Sequence, residues 1–424
     1  MIDSRKVEKD NLFVAIDGEN VNAHRFIPDT IEKGALCVVS HEDLGETDFP
    51  YILVESTGQA LLDIAKLYRD SFDIKVVGIT GSVGKTSTKE MIASVLAQKY
   101  KVHKTLGNFN NEWGLPLTIF QLNEEHQIAV LEMGVNHFGE MRRLSSVASP
   151  DICVITNIGV AHLEFFKTRE GILQEKSQMI QDMKAGGSII LNGDDDLLSQ
   201  MALSKALPLS FLVPGTAISS ALTASSLWDF GEQPATSICR TALPSRSSYP
   251  SGSAYDLQCT GRAAVGYTMG LSAEEIKAGI EGLPSMPGRN NIIKTDRLII
   301  LDDCYNANPI STKAAIDVLS MAIGRKVAIL GNMGELGSDE CALHREVGTY
   351  CAKKGIDIVC GIGDLAKHLV EGASTDSAVE THWFESKADF LAEMKDIIHP
   401  GDNVLVKASH GMWFPELVES LQSF

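Results

Sequence analysis

The chain has no apolar run long enough to span a membrane, and its first residues, MIDSRKVEKDN, carry too much charge for a secretory leader. The expected location is therefore the cytoplasm. Positive charge is also scarce. Lys and Arg total 37 against 55 Asp and Glu, for a formal net charge of −18, which argues against coating nucleic acid or lying on an anionic membrane. A small anionic substrate stays compatible, because a local site can be basic on an acidic protein. None of the eight cysteines forms a C-x-x-C pair, so scattered free thiols are expected rather than disulfides or zinc. No solenoid-length repeat and no coiled-coil heptad is found.

What the sequence does have is the composition of a soluble globular protein, 44% apolar and 22% charged, and 424 residues, enough for two or three domains. Residues 1–72 form a short first block with strand-like runs, LFVAI and ALCVV, and a helix pattern, GQALLDIAKLYRDSF. Residues 73–284 alternate apolar runs (KVVGI, IAVLE, DICVITN, GSIIL) with helical patterns, the mark of a parallel sheet covered on both faces. Residues from about 214 to 253 are rich in Ser, Ala, Thr and Pro and read as loops and irregular strands. EGLPSMPGRNN reads as a hinge or linker, and residues 285–424 alternate again (RLIILDD, KVAILG, DIVCGIG, NVLVKAS) as a second, Rossmann-like sheet. The expected class is α/β, with a small N-terminal domain, a central P-loop domain and a C-terminal Rossmann-like domain.

The most informative stretch is VVGITGSVGKTSTKEMIASVL. Gly78, Gly81 and Gly84 permit a tight turn whose backbone N–H groups face an anion. Lys85 offers a point charge to the outer phosphates, and Thr86 a hydroxyl to magnesium. The following helix brings its positive end to the same place, with Ile92, Val95, Leu96 and Tyr100 on one face. Ile79 stands where the strict motif has its first glycine. The competing reading is a glycine-rich turn with an incidental lysine, which the strand–loop–helix context disfavours.

Two polar groups fall at expected strand ends, where ligands gather in parallel sheets. Glu132 follows IAVL, and a carboxylate suits magnesium. His162 follows VITNIGVA; a histidine is a less usual ligand for magnesium, and on spacing alone a hydrogen-bonded rim histidine is the better reading. In TREGILQEKSQMIQDMKAGG, taken as one helix, Ile172, Leu173, Met179, Ile180 and Met183 make an apolar stripe with Lys176 near its centre. A lysine there must be paired, neutral, chemically modified or snorkelling to water.

These segments, with NFNNEWGLPLT, LEMGVNHFGEM, TNIGVAHLEFF, LNGDDD, PGRNN, LDDCYNANP and LGNMGELG, resemble the Mur ligases of peptidoglycan synthesis over nearly the whole chain. Within that family they look nearest to the members that join D-alanyl-D-alanine to UDP-N-acetylmuramoyl-tripeptide. The resemblance implies three domains: the first for the uridine nucleotide, the second for ATP, and the third a lid bringing the amine. It implies an acyl-phosphate intermediate, with ATP and Mg2+ as cofactors. Gly81, Ser82, Val83, Gly84, Lys85, Thr86, Ser87, Arg289 and Asn306 would bind ATP, Asn306 at the base. Asn110 and Asn111 would line the muramoyl-peptide site. Thr86 and Glu132 would hold one Mg2+ and His162 a second, and Lys176 aligns with the lysine that is carbamylated in this family, beside that second metal. Lys85, Lys176 and His162 would be catalytic. A monomer is expected, with no nucleic-acid partner and no membrane insertion.

Three departures stand out. Asn332 in LGNMGELG replaces a usual aspartate, His410 in KASHGM replaces a usual arginine, and residues 214–266 lack the family's G-x-H-N-x-x-N-A helix start. Other readings are a ligase adding the third amino acid, whose Asp-Asn-Pro-Arg motif is absent from the third block; a folylpolyglutamate synthetase; and a nucleotide-binding protein that has lost ligation.

Overall fold

The protein was analysed as a computed structural model, which describes residues 1–18, 21–204, 209–213 and 263–424. The expectations for residues 214–253 and for the missing helix start at 214–266 lie outside the described residues, apart from 263–266. The chain gathers into two compact units, residues 1–80, 99–154 and 175–189 in one, and 81–98, 155–174 and 190–424 in the other.

The first unit opens with three parallel strands in chain order, β1 (Leu12–Val14), β2 (Cys37–Ser40) and β3 (Tyr51–Leu53). Phe13, Ala15, Ile27 and Val38 close their core. The helix Thr57–Asp70 follows, started by Ser56, whose hydroxyl accepts from Gln59 N, and it buries Leu61, Leu62 and Ala65. Next come β4 (Lys75–Thr80), β5 (Val102–Lys104), β6 (Ile128–Glu132), β7 (Ile152–Ile155) and β8 (Ser188–Asn192), neighbours in the order β5-β6-β4-β7-β8. β4 and β5 each pair in parallel with β6. Val76, Val77, Ile79, Ala129, Val130 and Leu131 have no exposed surface, which is why these strands read as continuous apolar runs rather than alternating ones.

The second unit holds β9 (Leu209–Val213) and a six-stranded sheet made of β10 (Asn291–Lys294), β11 (Ile299–Asp302), β12 (Lys326–Gly331), β13 (Ile358–Ile362), β14 (Glu380–Phe384) and β15 (Asn403–Lys407), ordered β10-β11-β15-β12-β13-β14. β10 runs antiparallel to β11, and the other pairings are parallel. Alternate residues feed two cores: Ile300, Val327 and Ile329 join one, Leu301, Ala328 and Leu330 the other, as a period of two demands. Thus the alternating third block is a doubly covered sheet. Its two end strands were not legible, because β10 and β14 are half-exposed and partly polar.

Local expectations need correction. Gly78 lies inside β4 and not in the turn; its missing side chain makes room for Met133, since an added Cβ would sit 2.7 Å from Met133 Cε. The helix after the glycine loop ends at Leu96, so Tyr100 lies beyond it, while Ile92, Val95 and Leu96 are buried as expected. The single helix over 168–187 is instead an α-helix, Arg169–Lys176, tightened into a 3-10 segment, Ser177–Asp182. The tighter turn lets Asp182 accept from the Ser145 hydroxyl at 2.6 Å and sends the chain onward extended at Met183. Ile172, Lys176 and Met179 keep the buried face.

Among the described residues six cysteines are free, and Cys153, Cys304, Cys351 and Cys360 are buried. Burial raises all four thiols, Cys351 and Cys360 to about 12. No described helix is long and apolar enough to cross a membrane.

Candidate active site

The glycine loop is where expected, between β4 and the helix Lys85–Leu96. Gly81 and Gly84 have φ of 146° and 81°, a region that favours glycine. Sequence reasoning missed what holds the loop. Asn157 O accepts from Ser82 N at 3.0 Å, and Asn157 Oδ1 from Val83 N at 2.9 Å. Asn157 Nδ2 and Thr156 Oγ1 both donate to Val83 O. Ser82 Oγ accepts from Gly159 N at 2.9 Å. The signal was the polar pair Thr156-Asn157 after an apolar strand. Lys85 Nζ donates to Gly81 O at 2.9 Å, folding the ammonium over the loop.

In the same unit the structure brings Arg289 to this loop. Its Nη2 donates to Thr86 Oγ1 at 3.2 Å, and its guanidinium lies 3.9 Å from the centre of the Tyr305 ring. The PGRNN segment is a loop tied to the β11 end: Gly288 N donates to Asp302 Oδ2 and Tyr305 N to Gly288 O. Asn306 is exposed, with Oδ1 accepting from Ala307 N. Its backbone is fixed from behind by Lys407, which is buried, donates to Asn306 O at 3.0 Å and pairs with Asp303. Ser87 stands in the first turn of the helix, half-buried.

His162 takes a left-handed conformation, φ 60°, and pairs through Nδ1 with Glu335 Oε2 at 2.5 Å. Glu335, from GELG, was not singled out from sequence. Its loop is anchored by His344, whose Nε2 accepts from Met333 N and whose Nδ1 donates to Glu340 O. Burial holds the His344 pKa below the ordinary histidine value, as an accepting ring nitrogen requires. The two departures are accommodated: Asn332 Oδ1 accepts from Ala366 N, and the His410 ring lies 5.0 Å from Tyr305.

In the first unit, Asn110 and Glu132 come together. Glu132 is 1% exposed at the end of β6; Asn110 Nδ2 donates to its Oε1 at 2.8 Å, and Thr105 Oγ1 accepts from its backbone N. Asn111 does something else: its Oδ1 accepts from Trp113 N and Gly114 N and starts the helix Gly114–Ile119. Lys176 is fully buried. Beside it in sequence, Glu175 is buried too, accepting from Gly139 N, Met141 N and Gln178 Nε2 at 2.7–2.9 Å. It caps the helix Glu140–Ala148 and ties that helix to the end of Arg169–Lys176. A sequence reading had no reason to separate it from surface glutamates.

Three family models match: Mur ligase family, catalytic domain, over residues 1–69; Mur ligase middle domain over 79–213; and Mur ligase, glutamate ligase domain over 288–410. The chain belongs to the Mur ligase family. As a Mur ligase it is an ATP-dependent ligase of the α/β class, with parallel sheets. Among its relatives, the UDP-N-acetylmuramoyl-tripeptide–D-alanyl-D-alanine ligase of Bacillus subtilis is 36% identical over 99% of this chain and 92% of its own length. Among solved structures, MurF from Acinetobacter baumannii is 27% identical with a TM-score of 0.86, covering 100% of this chain and 93% of that one. The MurF ligase from Thermotoga maritima in complex with ADP is 26% identical with a TM-score of 0.82, covering 100% and 96%. This Mur ligase thus has relatives of its own kind over its full described length.

Proposed function

We propose that this Mur ligase joins D-alanyl-D-alanine to UDP-N-acetylmuramoyl-tripeptide in peptidoglycan precursor synthesis. The observation that carries the reading is the 36% identity, over 99% of the chain, to a relative named for that reaction. The γ-phosphoryl group of ATP passes to the tripeptide carboxylate, giving an acyl phosphate and ADP. The dipeptide amine attacks the acyl carbon, loses a proton and expels phosphate as the amide forms.

The chain's own residues suit those steps. Lys85, Arg289 and the N–H groups of the 81–87 loop would stabilise negative charge that grows on the phosphoryl oxygens. Asn306 would meet the base, and Asn110 the muramoyl peptide. Asn111 would line the same site while its Oδ1 holds the turn before Gly114. The hydroxyl of Thr86 and the buried carboxylate of Glu132 are hard oxygen donors, which fit Mg2+; His162 and Lys176, once carbamylated, would supply further ligands. Mg2+, when bound, neutralises phosphate charge. Lys176 has no exposed surface; a lysine amine in its neutral form can add carbon dioxide and lose a proton to become an anionic carbamate. Residues 1–72, 73–284 and 285–424 would serve the uridine nucleotide, ATP and the amine, and the protein would act in the cytoplasm as a monomer.

The test is ADP release measured over a matrix of substrates. Release that needs both UDP-N-acetylmuramoyl-tripeptide and D-alanyl-D-alanine is expected. Turnover with a single diamino acid or glutamate in place of the dipeptide would move the assignment to another ligase type, and no turnover with any pair would mark a nucleotide-binding protein without ligation.

A further inference from the structure

The N-terminal block carries a side-chain cluster to which the proposed ligation steps assign no role. His24, His41 and Glu42 each place one donor atom, a ring nitrogen or a carboxylate oxygen, within 4.8 Å of the others. His24 belongs to the short helix Ala23–Phe26, and the other two follow the end of β2. The two imidazoles meet edge to face, with centroids 4.4 Å apart.

A neighbour orients two members of the cluster. Asn22 Oδ1 accepts from His24 N and from His24 Nδ1, both at 2.8 Å, and Asn22 Nδ2 donates to Glu42 Oε1 at 3.1 Å. An amide oxygen can only accept, so the proton of His24 sits on Nδ1 and the lone pair on Nε2. His24 is 8% exposed, and its Nε2 is buried without a hydrogen-bond partner. A buried acceptor with no donor is costly. A histidine that gives one N–H to a carbonyl and turns its other nitrogen to a metal is the usual state of a metal-bound imidazole. The Glu42 loop is fixed as well: Ser40 Oγ donates to Glu42 O at 2.6 Å and accepts from Glu42 N at 2.9 Å.

We infer that His24, His41 and Glu42 form a binding site for a divalent transition metal, with Asn22 as the group that orients the ligands. Two imidazoles and one carboxylate suit Zn2+ and disfavour Mg2+, which prefers oxygen. With three protein ligands, water or an anionic ligand completes a four-coordinate ion. Because the metal binds the folded block and bridges its helix Ala23–Phe26 to the β2 end, it stabilises that block by mass action.

The test uses the full chain, stripped of metal and held in excess Mg2+ so that oxygen-rich sites are filled, with Zn2+ alone as probe. Calorimetric titration should give one tight Zn2+ per chain. His41→Ala and Glu42→Gln, both changes at side chains that are not fully buried, should weaken it at least tenfold, and Asn22→Ala by about ten- to a hundredfold. In the unmodified protein, Zn2+ should also protect His41 from diethyl pyrocarbonate, read by mass spectrometry, which does not depend on any variant folding. Equal affinity in the wild type and both ligand variants would overturn the site, as would unchanged labelling of His41 at saturating Zn2+.

Discussion

Arg289 donates from Nη2 to Thr86 Oγ1 at 3.2 Å while its guanidinium lies over the Tyr305 ring. The stack fixes a planar cation above the first turn of the phosphate-loop helix, a position that a lysine cannot copy because its charge is a point and its stem flexible. Arg289→Lys should therefore lose much of the turnover that Arg289→Ala loses. The expected fall in kcat is about a hundredfold or more for alanine, with little change in melting temperature. A lysine variant within a few-fold of the wild type would show that only charge is needed there.

Gly81 is the tightest point of the loop. A Cβ at that position would lie 1.9 Å from Thr156 Oγ1, and the backbone has φ 146°. Gly81→Ala must push Thr156 away or flatten the turn, at a cost of about 1–3 kcal/mol. Nucleotide affinity should fall more than global stability, because the donors to Val83 O move with Thr156. Isothermal titration with ADP, alongside thermal melting, separates the two.

Lys176→Ala should lose most of the ligase turnover, and a short carboxylic acid in the assay should restore part of it by placing an anion where the carbamate stood. Lys176 is 0% exposed, so the variant's melting curve must be measured beside its rate. Carbon-13 bicarbonate supplied to the unmodified enzyme should give a carbamate carbon signal that the variant lacks. Near-normal turnover of the variant would remove both the carbamate and the catalytic role.

His344 gives a pH dependence with a definite sign. Its folded-state pKa is lowered by burial, so the unfolded chain binds a proton first as pH falls. The stability it contributes is present above the unfolded value of about 6.5 and is lost as pH drops from there toward the folded value. His344→Gln, which retains an acceptor for Met333 N, should show a shallower fall in melting temperature between neutral and mildly acidic pH. Parallel curves for the two proteins would count against this. Comparing the pair isolates His344 from His24 and His103, whose pKa values burial also lowers.

Much of this was legible in the sequence because it rests on periodicity and on residues next to each other in the chain. The glycine loop, the apolar strands, Glu132 at a strand end and Lys176 on the buried face of a helical segment are all local signals. What could not be read depends on contacts across long separations. Thr156 and Asn157 lie more than seventy residues from the loop that they hold. Glu335 meets His162 across an even longer separation, and Glu175 is buried only because Gly139 and Met141 offer it backbone N–H groups. The two asparagines at 110 and 111 look alike in sequence, yet one holds Glu132 and the other closes a turn. The end strands β10 and β14 were missed because half-exposed strands carry mixed residues.

The buried cysteines offer an internal clock for opening of the Rossmann-like sheet. Cys360 lies within β13, and Cys351 in the helix Glu340–Lys353 that precedes it. Burial pushes both thiols up to about 12, so at neutral pH they stay protonated and unreactive while buried. A thiol-reactive dye therefore meets them only when this part of the chain opens. Their labelling rate reads the frequency of that opening directly, and any ligand that stabilises the folded sheet should slow it without any change in the cysteines themselves.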